Sequence, residues 1–459
     1  MSRGMIASER RATGALAGIY AARMLGLFMI LPVFALYAEK LRGVTPFKVG
    51  LAIGAYGLTQ ALLQIPYGWL SDRLGRKRVI TAGLLLFALG SALAAVSTSI
   101  DGVIAGRALQ GAGAIAAALM ALVADLTREE QRLKAMAAIG LSIGISFAVA
   151  MVAGPALDHW IGVPGIFWLT AALALAAIVI LHTVVPTPVR TVHHADAEAT
   201  PGQLGEVLRN LDLLRVDAGI FSLHLILTAT FVVVPGLLRD EAGLPKEWHW
   251  ALYLPVMGLA FLLMVPFIVV AEKRRLMKPI LAGAVLVMAA AELGLSRWHH
   301  SSAGIAFWLL AFFTAFNFLE ASLPSLVAKL SPPASKGTAM GVYSSSQFLG
   351  AFCGGAMAGA VHGKFGAGRV FVVTAAVALV WFVVAATMRR PPHLSSHLLE
   401  VGPIPPEAAA GLAARLGALP GVAEAVVVPE EGVAYMKVDR ERFEERLARE
   451  LVRSAGEPG

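Results

Sequence analysis

The most informative part of the sequence is residues 68–80, which read Gly68-Trp69-Leu70-Ser71-Asp72-Arg73-Leu74-Gly75-Arg76-Lys77-Arg78-Val79-Ile80. One acidic and four basic residues are crowded between two long apolar runs, and Gly75 can adopt the positive φ that a tight turn needs. A basic loop, which any membrane protein may carry, would explain Arg76, Lys77 and Arg78. It would not explain Asp72, bracketed by glycines at a helix end. The stretch therefore predicts a short charged turn between two membrane helices.

The composition of the whole chain favours the same environment. Hydrophobic residues make up 57% and charged residues 15% of the 459 positions, whereas soluble domains carry about 25% charged residues. The formal net charge is +8, yet the last 63 residues hold eleven acidic and seven basic side chains. The basic excess therefore lies in short loops between apolar runs, and no nucleic-acid-binding motif accompanies it. We predict contact with a lipid bilayer and none with nucleic acid.

Two features exclude other classes of protein. The single cysteine, Cys353, excludes an intramolecular disulfide and a thiol-ligated metal centre. The sequence contains no GxxxxGK[ST] phosphate-binding loop, which argues against an ATP-driven pump. We expect a carrier rather than an enzyme, with no cofactor and with a proton gradient as its energy source.

Twelve apolar runs are long enough to be membrane helices, each of which needs about 20 residues. An all-α membrane protein follows, with two six-helix halves at 1–185 and 213–390, a cytoplasmic linker at 186–212 and a soluble domain at 395–459. Two such halves joined by a polar linker are typical of transporters built from parallel repeats. The helices are expected near 12–37, 46–70, 78–98, 102–125, 134–157, 162–185, 213–238, 248–271, 279–296, 302–330, 336–361 and 367–388.

Lysine and arginine are unevenly distributed between the two sides of these helices. With the N-terminus inside, the inner segments hold 21 of them and the outer loops hold 8. The positive-inside rule therefore places both termini and the linker in the cytoplasm. The charged N-terminal segment runs directly into a long apolar run without a convincing cleavage site, so helix 1 is expected to be an uncleaved anchor.

Three motifs resemble signatures of the major facilitator superfamily. The string at 68–80 resembles its cytoplasmic loop signature, and Arg107-Ala108-Leu109-Gln110-Gly111-Ala112-Gly113 resembles its RxxQGxG element. Gly154-Pro155, which closes helix 5 after Gly144, resembles the GP-containing motif of the drug-antiporter branch. That match is partial, since polar residues follow where small ones are usual. The resemblance implies the twelve-helix fold and a transport function.

A further resemblance concerns the start and the end of the chain. The run Arg23-Met24-Leu25-Gly26-Leu27-Phe28-Met29-Ile30-Leu31-Pro32, together with a small soluble tail, is similar to the YajR-type bacterial inner-membrane transporters. Their tail is a ferredoxin-like domain. The resemblance implies a multi-pass protein of the bacterial inner membrane.

In the tail, the apolar pattern predicts a βαββα order that lacks the final ferredoxin-like strand. The strands are expected at 396–401, 422–428 and 433–438, and the helices at 405–419 and 440–453. The loop at 402–406 has no cysteine where metal-carrying relatives of this fold use CxxC, so no metal is expected there. The chain is expected to be a monomer. A regulatory role or self-association of this domain and a passive appendage are both left open.

Two arginines within predicted helices are candidates for the substrate cavity and for proton coupling. A charged group at mid-membrane costs about 2.5–3.5 kcal/mol on insertion scales, so each needs a reason to be there. Arg23 either pairs with helix carbonyls or a carboxylate for structural reasons, or attracts an anionic substrate or a titrating acid. Arg107, with Gln110 about one turn away, would help to couple protons in family terms, or has a packing role.

Glu320 is the strongest candidate for a titrating acid. Asn317 lies three residues before it on the same helix face, and burial favours the neutral form of a carboxyl group. The alternative is a glutamate locked to an arginine for structure. His224 could also titrate, or be a hydrogen-bonded filler of the core. Three acids are expected near the outer surface and rank lower, namely Glu39, Asp158 and Glu292.

By resemblance to the family, Asp72 caps the cytoplasmic N-terminus of helix 11, near residues 335–337. A carboxylate at that position is favoured by about 0.3–1 kcal/mol. Asp125 and Glu129 are expected partners of Arg76. We hypothesise an inner latch that closes the outward-facing state and breaks when the protein opens inward. Its members are Gly68, Asp72, Arg73, Gly75, Arg76, Lys77, Asp125 and Glu129.

Small residues recur every four positions on two helices, which lets helices approach closely. This spacing is equally compatible with static packing and with two halves that rock against each other. The positions are Gly140, Gly144 and Ala148 on helix 5, which Gly154 and Pro155 close, and Gly355, Gly359 and Gly363 on helix 11.

The sequence therefore predicts a secondary-active, proton-coupled transporter that exports small, apolar or drug-like molecules by alternating access. One alternative is a proton-coupled importer of an anionic metabolite, for which Arg23 would be the natural ligand. Another is a non-transporting membrane sensor that signals through the C-terminal domain.

Overall fold

The computed structural model describes residues 5–188, 199, 201–332, 335–389, 395–402, 404–429, 432–439 and 442–456. The first half of the chain is helical. Its helices are α1 (Ala7–Phe28), α2 (Phe34–Ala38), α3 (Pro46–Leu74), α4 (Arg76–Val96), α5 (Ile100–Ala112), α6 (Ala116–Asp125) and α7 (Glu129–Thr183), followed by a 3-10 turn (Pro201–Gln203) and the short α8 (Leu204–Val207).

The second half of the membrane region is also helical. Its helices are α9 (Leu211–Asp240), α10 (His249–Lys273), α11 (Met277–Trp298), α12 (Ser302–Leu330), α13 (Lys336–Phe365) and α14 (Ala367–Ala386), with a 3-10 turn (Lys246–Trp248) before α10.

Nine helical segments of the described chain are long and apolar enough to cross a membrane. One of them, Lys134–Thr183, bends at Gly162, whose φ is 67°, and therefore supplies two spans. α1 and α13 are 22 and 30 residues long, and their charged or small polar residues lower their hydropathy. With these two, the described helices form twelve spans, six in each half. The predicted fold class is confirmed.

Two of the spans are interrupted, whereas the sequence predicted continuous helices at 12–37 and 102–125. α1 and α2 are separated by turns that contain Pro32, which has no N–H to continue a helix. α5 and α6 are separated at Gly113, where a Cβ would lie 2.2 Å from the carbonyl oxygen of Gly83. The expectation of continuous helices was wrong because Pro32 interrupts the first of these spans and a close backbone contact at Gly113 interrupts the other.

Hydrogen bonds show which segments share an end of the bundle. Lys77 Nζ donates to the carbonyl oxygen of Val185 at 2.5 Å, and Trp69 Nε1 donates to that of Ala199 at 2.8 Å. The α3–α4 turn, Val185 and Ala199 therefore lie at one end, which we call the linker face. We call the opposite end, where α2 and α9 terminate, the distal face.

α13 belongs to the second half and contacts both α3 of the first half and α9 of its own half at backbone distance. A Cβ on Gly50 of α3 would lie 1.9 Å from the carbonyl oxygen of Gly355, and one on Gly359 would lie 2.5 Å from that of Pro46. On its other side, a Cβ on Gly350 would lie 2.1 Å from the carbonyl oxygen of Phe221 in α9. The small residues of α13 therefore permit close packing with both α3 and α9.

The small residues of α7 behave differently. A Cβ added at Gly140 or Gly144 would meet no heavy atom within 4 Å, whereas one at Gly154 would lie 2.4 Å from the carbonyl oxygen of Met29. The expectation of close packing at Gly140 and Gly144 is wrong for this conformation, because no described neighbour approaches the face of α7 that carries these two glycines. Only the end of the predicted motif, next to Pro155, is in backbone contact.

The C-terminal domain is a three-stranded antiparallel sheet with strand order β1-β3-β2, covered by two helices. The predicted βαββα order is present. The last helix begins at 445 and not at 440, because the N–H groups of Arg442 and Phe443 donate to the carbonyl oxygen of Asp439 in a turn. The elements are β1 (Ser395–Glu400), α15 (Pro406–Gly417), β2 (Val422–Val428), β3 (Val433–Val438) and α16 (Glu445–Gly456).

The central strand of this domain is buried on both faces. Met436 and Val438 face the helices, while Val433 and Tyr435 lie on the other side of the sheet. Burial lowers the pKa of Lys437, and the Glu424 carboxylate, 3.6 Å from Lys437 Nζ, opposes this shift. β1 packs against α7 and α12, so the domain contacts one helix from each half of the membrane bundle.

The glycine contacts predict a position-dependent response to alanine. Gly50→Ala should lower the melting temperature of the detergent-solubilised protein, because overpacking of a close contact costs about 1–3 kcal/mol. Gly140→Ala, on a helix face with open space, should be neutral or slightly stabilising, since alanine favours a helix over glycine by about 0.5–1 kcal/mol. Equal melting temperatures for the two variants would contradict the proposed role of the α3–α13 contact.

Candidate functional site

The charged turn at the linker face is organised around Arg76, whose side chain is 2% exposed. It forms an ion pair with Asp72, its Nη1 donates to Ser71 Oγ at 2.9 Å, and its Nε donates to Asp125 Oδ2 at 3.1 Å. Gly75 has a φ of 95°, so glycine is required at this turn. The structure thus joins the end of α3, the start of α4 and the end of α6 through one arginine.

The remaining residues predicted for the latch occupy different environments. Arg73 is exposed, and Lys77 holds the carbonyl of Val185 at the end of the first half. A Cβ on Gly68 would lie 3.3 Å from Ala117 Cβ, so this glycine permits the contact between α3 and α6. The side chain of Glu129 lies outside the described residues.

Arg23 lies in α1 and is 2% exposed. Its Nη2 donates to Gln60 Oε1 at 2.6 Å and to the carbonyl oxygen of Gly113 at 3.1 Å. The guanidinium lies over the rings of Tyr56 and Phe87, 5.7 and 5.6 Å from their centroids. Its Nε and Nη1 have no hydrogen-bond partner among the described residues. This cation therefore keeps two buried donors available.

Arg107 is also buried. Its Nη1 donates to Gln110 Oε1 at 2.9 Å, and Gln110 Nε2 in turn donates to Ser91 Oγ at 2.6 Å. The guanidinium lies 5.3 Å from the centroid of the same Tyr56 ring that Arg23 contacts. The first half thus contains two buried arginines that contact one aromatic ring and bind amide and carbonyl oxygens.

The corresponding polar group of the second half is centred on Gln347 of α13. Its Nε2 donates to Glu320 Oε1 at 3.2 Å and lies 2.8 Å from His224 Nε2. Glu320 Oε2 lies 3.8 Å from the same histidine nitrogen. Asn317 is on the same helix as Glu320, one turn away, and its Nδ2 has no partner among the described residues. The structure therefore brings together Glu320 and His224, which lie on different helices.

An aromatic cluster connects this group to the first half. The Phe316 ring lies 5.9 Å from the His224 ring and 5.4 Å from the Phe147 ring of α7. Phe147 also lies 5.0 Å from Phe28 of α1 and 6.1 Å from Phe313. The Glu320 group therefore lies beside the interface between the two halves.

Several residues of these sites were not predicted from the sequence. Gln60 and Gln64 are four residues apart in α3 and hydrogen-bonded to each other at 2.7 Å. Two polar residues at this spacing within an apolar run share one helix face, and this signal could have been found in the sequence. Gln347 gave a weaker signal, because it follows three serines in a helix of low hydropathy.

Glu292 requires a correction. We expected it near the outer surface, but it is 0% exposed and lies in the core between α9, α11 and α14. It accepts hydrogen bonds from Thr230 Oγ1 at 2.9 Å and from Thr374 Oγ1 at 2.5 Å. Burial of a carboxyl requires such hydroxyl donors, and they come from helices far apart in the sequence.

The distal face carries two ion pairs between the halves. Arg239 Nη1 lies 2.8 Å from Glu39 Oε2, and Lys246 Nζ lies 2.9 Å from Asp158 Oδ2. Each pair joins a carboxylate of the first half to a cation of the second half. Together with the glycine contacts of α13, these pairs hold the halves together at the distal face.

Comparison with known proteins identifies the family. The sequence profile of the Major Facilitator Superfamily matches residues 16–321 and 274–428. The inner membrane transport protein YajR of Escherichia coli (strain K12) is 47% identical over 448 residues, which cover 96% of this chain and 97% of that protein. The chain belongs to the major facilitator superfamily. It is therefore a membrane transporter and not an enzyme, and the resemblance to the YajR type is confirmed over the C-terminal domain as well.

More distant relatives agree with this assignment. The multidrug resistance protein MdtH of Aeromonas hydrophila is 27% identical over 352 residues, covering 74% of this chain and 84% of that protein. A bacterial homologue of the human lysosomal transporter Spinster, solved in an inward-facing and occupied conformation, has a TM-score of 0.71 and 13% identity, covering 84% and 98% of the two chains. That likeness shows the shared fold alone.

The distal ion pairs of this transporter predict a conformational effect. Exposed pairs contribute about 0.2–1 kcal/mol each, so Glu39→Gln combined with Asp158→Asn should raise the distal-open population about two- to thirty-fold. This population would be measured by double electron–electron resonance. The distance would be taken between spin labels attached at Lys40→Cys and Lys364→Cys, in a Cys353→Ser background.

The matched control is Asp101→Asn, which removes an ion pair with Lys48 of 2.8 Å that lies within the first half. It should leave the distance distribution unchanged. An equal shift in the control, or none in the double variant, would contradict a role for the distal pairs in holding the halves together.

Proposed function

We propose that this chain is a proton-coupled secondary-active transporter that exports small, apolar or drug-like molecules by alternating access. The observation that supports it best is the Glu320–Gln347–His224 group, in which an acid on α12 and a base on α9 are bridged by a glutamine on α13, beside the interface between the halves. The proposal places the linker face in the cytoplasm of a bacterium and the distal face outside the inner membrane.

The geometry of this group suits a proton carrier. Gln347 donates to both Glu320 and His224, which holds them 3.8 Å apart without neutralising either. Glu320 Oε2 has no hydrogen-bond partner among the described residues, so this oxygen can accept a proton. A carboxyl in the membrane is retained despite its cost mainly at proton and substrate routes. In the proposal, Glu320 loses its proton to one side when substrate binds and regains it from the other.

The aromatic cluster suits an apolar substrate. The rings of Phe28, Phe147, Phe313 and Phe316 lie next to the proposed proton site, and stacked or edge-on rings offer large apolar area for binding. The relationship to a protein named for multidrug resistance supports export as the direction.

The charged turn at the linker face supplies the proposed latch. Asp72 and Asp125 neutralise Arg76 from α3 and α6, and breaking a buried pair of this kind by removing one partner costs about 3–5 kcal/mol. In the proposal, the turn engages the start of α13 when the protein closes at the cytoplasmic side and separates from it when the protein opens there.

One observation favours a second candidate, a proton-coupled importer of an anionic metabolite. Arg23 is buried, binds neutral oxygens and keeps two donor nitrogens without partners among the described residues. Guanidinium groups form charge-assisted hydrogen bonds with carboxylates. An anionic substrate would therefore supply an acceptor for a donor of Arg23 that has no partner among the described residues.

The proton proposal predicts the effect of Glu320→Gln. In proteoliposomes with an imposed pH gradient, the wild type should move ethidium or rhodamine against its gradient, and the variant should lose this gradient-driven flux because its amide carries no exchangeable charge. Glu272→Gln, which removes a carboxylate of an exposed ion pair with Lys329, is the control and should transport normally.

Flux that does not depend on the pH gradient in the wild type would refute the coupling. Benzoate and other small carboxylates belong in the same panel. Preferential carboxylate uptake that Arg23→Gln abolishes would support the second candidate over the first.

The latch proposal predicts that Asp72→Asn abolishes transport while membrane insertion stays normal, because Arg76 loses a charged partner at the moving turn. Flux in vesicles and the amount of protein in the membrane fraction would measure the two properties. Asp212→Asn, in a half-buried pair with Arg215 away from this turn, is the control. Unchanged transport by the Asp72 variant would show that the turn has no such role.

A further inference from the structure

A second cluster of polar side chains lies at the distal face of the second half, apart from the proposed proton site. Glu241 follows the end of α9, and His299 and His300 follow the end of α11. Glu241 Oε2 lies 2.6 Å from His300 Nδ1 and 3.2 Å from His299 Nε2. One carboxylate oxygen and two imidazole nitrogens therefore converge, and all three ligand atoms lie within 4.8 Å of one another.

The orientation of His299 indicates what this cluster binds. Its Nδ1 lies 2.8 Å from the carbonyl oxygen of Leu295. A carbonyl only accepts, so Nδ1 carries the hydrogen. In the neutral ring, Nε2 then presents a lone pair to a carboxylate oxygen that is also an acceptor. A cation between them would remove this repulsion. Metal-ligating histidines usually donate their other N–H to a carbonyl or carboxylate in this way.

The surroundings hold the cluster in place and leave it open to solvent. Ser302 Oγ donates to the carbonyl oxygen of Ala242 at 3.3 Å, which ties the start of α12 to the end of α9. The side chain of His299 is 11% exposed and that of His300 is 70% exposed. Glu241 also lines a cavity of about 490 Å³ between the halves. An ion could therefore enter from the distal side and keep water in its remaining positions.

We propose that Glu241, His299 and His300 form a binding site for a divalent transition-metal ion such as Zn²⁺. Two imidazoles and one carboxylate form a donor set that suits zinc and its neighbours in the first transition row, with open positions for water. All three ligands belong to the second half, so the site does not bridge the halves. Binding therefore needs no ligand from the first half.

The test uses the full-length protein in detergent, freed of any histidine tag and of metal. Co²⁺ titration should produce a saturable visible absorption band at one ion per protein, and Zn²⁺ should displace Co²⁺ with micromolar or tighter affinity. His300→Gln should weaken Zn²⁺ binding at least ten-fold. Its side chain is largely exposed, so this variant should fold normally, and Glu241→Gln provides a second ligand variant.

His159→Ala is the matched control, because His159 is an exposed histidine of the distal face outside the cluster. It should leave Zn²⁺ affinity unchanged. Two results would overturn the proposal. One is the absence of saturable Zn²⁺ binding in the wild type, which would leave a histidine–carboxylate ion pair only. The other is equal affinity in the wild type, His300→Gln and Glu241→Gln. Neither result bears on proton-coupled transport, which the Glu320 variant tests separately.

Discussion

The absence of water around most of this chain is the constraint on which its structure depends. Lipid offers no hydrogen bonds, so the backbone forms helices and each buried charge must find its partners within the protein. Arg107 does so through Gln110 and helix carbonyls, Arg76 through two aspartates, and Glu292 through two threonines. The atoms that remain unpartnered among the described residues include Arg23 Nη1 and Glu320 Oε2, and these are the atoms that a substrate or a proton would satisfy.

The charged and titratable groups proposed for the substrate cavity and for proton coupling are segregated between the halves. The buried cations Arg23 and Arg107 belong to the first half, whereas the acid Glu320 and the base His224 belong to the second. Glutamines stand next to the charged groups on both sides, Gln60 beside Arg23 and Gln347 beside Glu320. An amide orients a charge without neutralising it, so each half keeps its own electrostatic character at the interface.

Much of the fold could be predicted because hydropathy, charge and turn chemistry are local properties. The twelve spans, the turn at Gly75 and the βαββα order of the C-terminal domain all follow from patterns within a few tens of residues. The features that were missed depend on contacts between distant segments. The break at Gly113 follows from its approach to Gly83, and the burial of Glu292 from threonines 62 and 82 residues away. Gly140 and Gly144 have the spacing that permits two helices to pack closely, but no described helix packs against them. The spacing alone therefore does not predict a contact. Gln347 carries no periodic signal, and only the structure brings it to Glu320.

The backbone contacts of α13 have a consequence for how fast the halves can move. Where Gly50 meets Gly355, backbone packs against backbone, so a small rotation at this contact requires no change of rotamer. Side-chain repacking between α3 and α13 then falls on neighbouring positions such as Tyr56 and Phe348, whose ring centroids lie 5.9 Å apart. The activation barrier to alternation should therefore arise mainly at the two ends of the bundle, where charges must separate and be hydrated, and the turnover rate should depend on ionic strength more than on membrane viscosity.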